Sequence, residues 1–288
     1  MQSTFRLIFT GIAMVLPGIL ISKLGMVNGV LNTEVGIRKT VILITILSVL
    51  GIYACVFFLK EKQLTQNRPK TESLGFMKSI SHLKDKEIIL YFLGYFFCFC
   101  GFNILRGDLS YYLSTVMQKD IKYLTVISVV LFGMAGMFFP ITNKFEKKYS
   151  YKKILIVDML LLIAGTFGLL FINKNNSIFA YVFFVICGAG LSGAAFIFPQ
   201  AMLSEISAKL SEIKKISLEG FMFGIQGMFL KLAFLVQQVV QSTLLVAGNQ
   251  NVQNGVKGAT ELGVKVTLVV ALALFGVSLF FYNLKKED

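Results

Sequence analysis

Residues 221–247 read FMFGIQGMFLKLAFLVQQVVQSTLLVA. At 1.5 Å per residue a helix of this length reaches across the ~30 Å hydrocarbon core of a bilayer. An isolated strand there would leave its backbone groups without partners, so the stretch is expected to be a helix. Lys231 lies eleven residues into it, roughly 17 Å deep, beyond easy snorkelling. An ammonium at mid-span costs about 3 kcal/mol on insertion scales. It should therefore face a polar cavity or a carboxylate, either along a transport path or in a structural ion pair. Gln226, Gln237, Gln238 and Gln241 add polar positions to the same helix. Gln226 is five residues before Lys231, which puts the two about 140° apart around the axis.

Outward from this segment, seven more apolar runs stand out: Phe5–Leu24, Val41–Leu59, Ile88–Leu105, Leu124–Ile141, Ile154–Ile172, Ile178–Leu203 and Val264–Leu284. The composition agrees, with 56% hydrophobic and 15% charged residues and a mean hydropathy of +0.74. A soluble domain carries about a quarter charged residues. A β-barrel would show alternating segments of about ten residues, and none is visible. The expected fold is an all-α, polytopic membrane protein of eight transmembrane helices. The polar connection from Lys60 to Glu87 divides it into residues 1–59, a central loop 60–87 and a six-helix bundle 88–288. In that loop Gln63–Ser73 is turn-like, and Leu74–Leu83 reads either as an amphipathic surface helix or as a solvated linker.

The +13 net charge sits in the connections and accompanies no nucleic-acid reader motif, so membrane topology accounts for it better than a nucleic-acid partner. Of the 28 Lys and Arg residues, 18 fall on the side of the N-terminus and eight on the other. The positive-inside rule then puts both termini in the cytoplasm, with the chain in the plasma membrane. Met1–Thr4 lacks a basic n-region, so no cleavable signal is expected. Cys55, Cys98, Cys100 and Cys187 all lie in apolar runs and read as small packing residues. A lone histidine, His82, makes a histidine metal cage improbable.

The segment Pro199-Gln200-Ala201-Met202-Leu203-Ser204-Glu205-Ile206, followed by Glu219-Gly220, resembles the P-x-A-M-x-A-D-[VI]…[RK]-x-E-G signature of the glycoside–pentoside–hexuronide:cation symporters. These belong to the major facilitator superfamily and include the melibiose permease. Gly224–Lys231 is similar to that family's stretch with a mid-helix lysine. Three looser likenesses are Ser110-Tyr111-Tyr112-Leu113, the basic Ile141–Lys153 stretch, and Thr4–Phe9 at the entry to a fifth helix. The chain departs from the pattern at Glu205, where aspartate is usual, at Ser217, where a basic residue is common, and in having no tryptophan. The resemblance maps the chain onto helices five to twelve, a partial major facilitator fold lacking the first four.

The resemblance implies a secondary transporter carrying a sugar or glycoside by alternating access, coupled to H⁺ or Na⁺. The acids that bind the coupling cation would lie on the missing helices, to be supplied by a second polypeptide; no other cofactor is implied. Lys231 and Gln226 would belong to the substrate pathway, Gln226 alternatively being a polar link between helices. Asn103, Arg106, Asp108, Tyr111 and Tyr112 gather at the outer end of the Ile88–Leu105 run. They either line the mouth of the pathway or form an aromatic belt anchor with an Arg106–Asp108 interfacial pair. Glu205, Glu219, Lys209 and Lys214 would close an inner gate. Asp158 is expected to favour the N-terminus of its own helix. Two other readings are a split or truncated transporter inactive on its own, and a lysolipid carrier of the same superfamily.

Gly188-Ala-Gly190-Leu-Ser-Gly193 spells a dinucleotide fingerprint, but it lies inside an apolar span with no strand before it. It is expected to be a helix-packing seam, with Pro199 kinking the same helix. No catalytic triad, metal-ligand cluster or phosphate loop is present, so an enzyme is not expected.

Overall fold

A computed structural model describes residues 12–13, 16–27, 30–58, 85–120, 123–146, 148–214, 218–248 and 258–284. The central loop, with its proposed amphipathic helix, and much of the first apolar run lie outside these. Contacts divide the chain into two compact units, one within Ile12–Ser73 and one running from Leu74 to the C-terminus.

In the first unit, residues 16–24 form α1 and Thr33–Phe58 form α2. Asn32 accepts a hydrogen bond from the backbone N–H of Val35 at 3.2 Å and so starts α2. Between the helices, Met26–Val27 pairs antiparallel with Val30–Leu31, Met26 opposite Leu31. This two-residue ladder leaves the all-helical class intact. α2 is apolar on every side, and none of its spanning window is buried in the structure.

The second unit contains α3 (Lys86–Tyr111), α4 (Leu124–Glu146), α5 (Tyr151–Leu169), α6 (Phe179–Leu191), α7 (Phe198–Lys214), α8 (Glu219–Leu244) and α9 (Glu261–Leu284). α3 ends in a π-helical turn, Tyr112–Val116, and a second one, Ser192–Ile197, joins α6 to α7 in one continuous span. Among the described residues, six helices are long and apolar enough to cross a membrane. α5 is long enough, but Lys152, Lys153 and Asp158 leave it without an apolar window of spanning length. The helices outrun the apolar stretches that announced them. α7 continues to Lys214 because Met202, Leu203, Ile206 and Leu210 keep one of its faces buried.

α3 is the axis of this unit, with 78% of its spanning window buried. Added Cβ atoms at Gly94 and Gly101 would meet the rings of Tyr282 and Phe275. Together with an Asp108–Thr267 contact, this sets α3 antiparallel to α9. Contacts of Tyr91 with Gln226 and of Asp108 with Gln241 set it parallel to α8.

The glycine-rich stretch is a seam on two sides. A Cβ at Gly188 would lie 2.4 Å from the Leu131 carbonyl oxygen of α4, and one at Gly190 would lie 2.4 Å from that of Asp158 in α5. The fingerprint spelling therefore reflects close helix packing. Cys98, Cys100 and Cys187 are buried as free thiols, whereas Cys55 on α2 is exposed. Lys152 donates to the Asn283 carbonyl at 3.0 Å. This sets a cation on the C-terminal end of α9, where the helix dipole favours it.

Candidate functional site

The α3–α8 seam carries most of the polar chemistry in the second unit. One face of α8 (Met222, Gln226, Ala233, Gln237 and Gln241) is buried at helical spacing. Three glutamines on a buried membrane-helix face need partners, and the partners fall into two clusters.

At the end where α3 and α8 begin, the Gln226 amide donates to the Tyr91 hydroxyl at 2.7 Å. Tyr91 in turn donates to the Pro199 carbonyl at 2.6 Å. Gln200 donates to Gln226 Oε1 at 3.1 Å. One glutamine thereby ties α3, α7 and α8 together beside the π turn. Pro199 has no N–H to give the preceding turn, and the π turn is where the helix takes up that irregularity.

At the other end, Asp108 is buried and accepts from Gln241 Nε2 at 2.8 Å and from Thr267 Oγ1 at 2.6 Å. Gln237 Nε2 donates to Gln241 Oε1 at 2.8 Å. This relay joins α3, α8 and α9. It needs Gly107 beside it, since a Cβ there would lie 2.3 Å from Gln241 Nε2.

Between the two clusters the seam is aromatic. Phe229 stacks on Phe92 with centroids 5.3 Å apart and meets Phe96 edge-on. The Arg106 guanidinium lies 5.4 Å from the centroid of the Phe234 ring, and Lys231 Nζ lies 5.9 Å from the same centroid. Two cations thus lie against one ring, an attractive arrangement for each. Lys231 itself is on the exposed side of α8, and among the described residues no carboxylate comes within ion-pair distance of it.

Arg106 and Lys231 are brought together through Phe234, which nothing in the sequence marked. Asp108 joins Gln241 and Thr267; the threonine was missed because it sits in an otherwise apolar run. Asn103 is buried, and its Nδ2 has no hydrogen-bond partner among the described residues. The two tyrosines diverge. Tyr111 is 40% exposed, whereas Tyr112 is 1% exposed and donates to the Leu169 carbonyl at 2.8 Å.

Glu205 and Lys209 approach to 3.3 Å, but within one exposed helix turn of α7. Their four-residue spacing is the signal for such a pair. Glu219 is exposed in the first turn of α8, and the Lys214 side chain lies outside the described residues. Asp158 is the eighth residue of α5, past the first turn where the helix dipole acts, so the expected N-terminal role is corrected.

Over residues 1–286 the sequence matches the MFS/sugar transport protein family. The chain belongs to that family. Its polar, aromatic and cationic seam is therefore part of a multi-pass membrane transporter of the MFS/sugar transport group. No individual curated protein matches it closely enough to add a nearer relative.

Proposed function

We propose that this chain works in a secondary active transporter that moves a sugar or glycoside by alternating access, driven by H⁺ or Na⁺. The observation that carries the reading is the pair of cations on Phe234, set between two buried amide clusters. Hydroxyl-rich solutes are bound by amide and charged donors beside aromatic faces, and transporters of this architecture bind near the midplane. Lys231 projects away from the core of its bundle, as a group serving a pathway should. The membrane is the plasma membrane, with both termini cytoplasmic. The coupling-cation site and a wall of the sugar site belong to the first four helices of the architecture.

The test is uptake into proteoliposomes under an imposed pH or Na⁺ gradient, against a panel of mono- and disaccharides and a lysophospholipid. The chain is reconstituted alone and with candidate four-helix partners. Gradient-dependent uptake of one sugar, lost in Lys231→Ala with thermal stability kept, is the expected result. Uptake of lysophospholipid alone, or sugar uptake indifferent to Lys231, would overturn the assignment.

A further inference from the structure

α4 and α5 diverge from their shared connection and leave a cleft of about 400 Å³ between them. Phe138, Ile141 and Phe145 line one wall at helical spacing, and Ile154, Val157 and Leu161 line the other. Ile141, Phe145 and Val157 are also exposed on the outside of the bundle. The cleft therefore opens sideways between two apolar helices, where a membrane protein meets acyl chains. It shares no residue with the α3–α8 seam.

The open charge at this cleft sits at its mouth. Lys153 lines it and is exposed, and Lys144 and Lys148 are exposed beside it around the α4–α5 connection. Among the described residues, no carboxylate lies within ion-pair distance of these three. Lys148 Nζ lies 5.5 Å from the centroid of the Tyr149 ring, and Tyr149 also lines the mouth. Tyrosine and lysine together are what a membrane–water boundary favours. Over residues 141–153 the sequence sets one acid, Glu146, against Lys144, Lys147, Lys148, Lys152 and Lys153. Asp158, lower on the wall, does not offset them at the mouth: it is buried, and its Oδ2 packs against Gly193 of the π turn.

An apolar slot beneath unpaired ammonium groups matches the two parts of an anionic phospholipid. The slot takes an acyl chain, and the lysines take the phosphate. A sugar would find too few polar partners on these walls, and a zwitterionic lipid would bring a cation of its own to the lysines. Basic pockets between spans are places where anionic head groups settle. We propose that this cleft holds one acyl chain of an anionic phospholipid, its phosphate on Lys153 with Lys144 and Lys148 beside it. The bound chain fills the gap and braces α4 against α5.

The test releases the full chain from nanodiscs of phosphatidylglycerol and phosphatidylcholine with matched acyl chains, and counts retained lipid by native mass spectrometry. One phosphatidylglycerol should be retained, preferred over phosphatidylcholine by at least about fivefold, the effect of one lysine near an anionic head group. Lys153→Gln should lower that preference at least about threefold. Val157→Trp, at an exposed position on the wall, should fill the slot and remove the retained lipid, with melting showing that the fold is kept. Lys209→Gln, at the same end of the bundle but on α7, should change neither. Equal retention of the two lipids would overturn the site. So would retention that persists in folded Val157→Trp. An equal loss of preference in Lys209→Gln and Lys153→Gln would overturn it too, leaving only diffuse attraction to a basic surface.

Discussion

α2 and α3 are each 26 residues long, and both are apolar enough to span a membrane. Yet none of the α2 window is buried, while 78% of the α3 window is. Phe57 and Phe58 of α2 are exposed at 79% and 85%, whereas Tyr91, Tyr95 and Cys98 of α3 are sealed. Hydropathy alone cannot tell the two helices apart, because lipid and protein interior are equally apolar surroundings. What distinguishes them is where small and polar residues fall. α3 carries Gly94, Gly101 and Gly107 wherever a neighbour closes in, and Asn103 and Asp108 on its buried surface. α2 has one such glycine, Gly36 at its start against Gly25; beyond it, Gly51 faces open space.

The largest effect should come from adding volume to each helix in turn. In Gly101→Val the new side chain meets Phe275 at 2.8 Å and the Ala271 carbonyl at 3.1 Å. It should lower stability by about 3 kcal/mol or prevent folding. Gly51→Val has nothing within 4 Å to strike and should stay within about 0.5 kcal/mol of the parent. Melting of the two variants in one detergent measures this directly. Similar losses in both would mean that α2 is packed after all.

A smaller effect is expected from the polar network that gives α3 its place. Asp108→Ala strips the acceptor from Gln241 and Thr267 and should cost about 2 kcal/mol, whereas Asp108→Asn, which keeps an acceptor, should cost less than about 1. Urea or thermal denaturation in lipid–detergent mixtures would show the difference between the two. Equal losses would place the importance of this residue in its charge. The smallest effect belongs to the exposed Glu205–Lys209 turn. Glu205→Gln should change stability by about 0.3 kcal/mol, shrinking further at high salt. A larger loss would mean that Glu205 engages more than its own helix.

Much of this was readable in advance. Long apolar runs announced the helices, glycines at 188, 190 and 193 announced a close seam, and Lys231 was conspicuous for its depth. The partners were not readable, because they come from other helices. That Gln226 would meet Tyr91, 135 positions away, depends on how α3 and α8 pair. The same holds for Thr267 and Asp108, 159 positions apart. Helical periodicity reports which face a residue occupies but not what lies opposite. Asp158 departs from its expected place for a related reason. Its helix begins at Tyr151, three residues before the apolar run, so it lies deeper than the hydropathy boundary implied. The Glu205–Lys209 pair was legible from its spacing alone.

The uneven sheltering of the thiols has a practical outcome. Cys55 is the one cysteine on the protein's surface, while its three counterparts are walled in. Because α2 is apolar enough to span, a lipid-soluble thiol reagent is the kind to meet Cys55. The wild-type chain therefore comes with a built-in attachment point on α2, so a fluorophore or spin probe can be placed there without engineering a cysteine-free background.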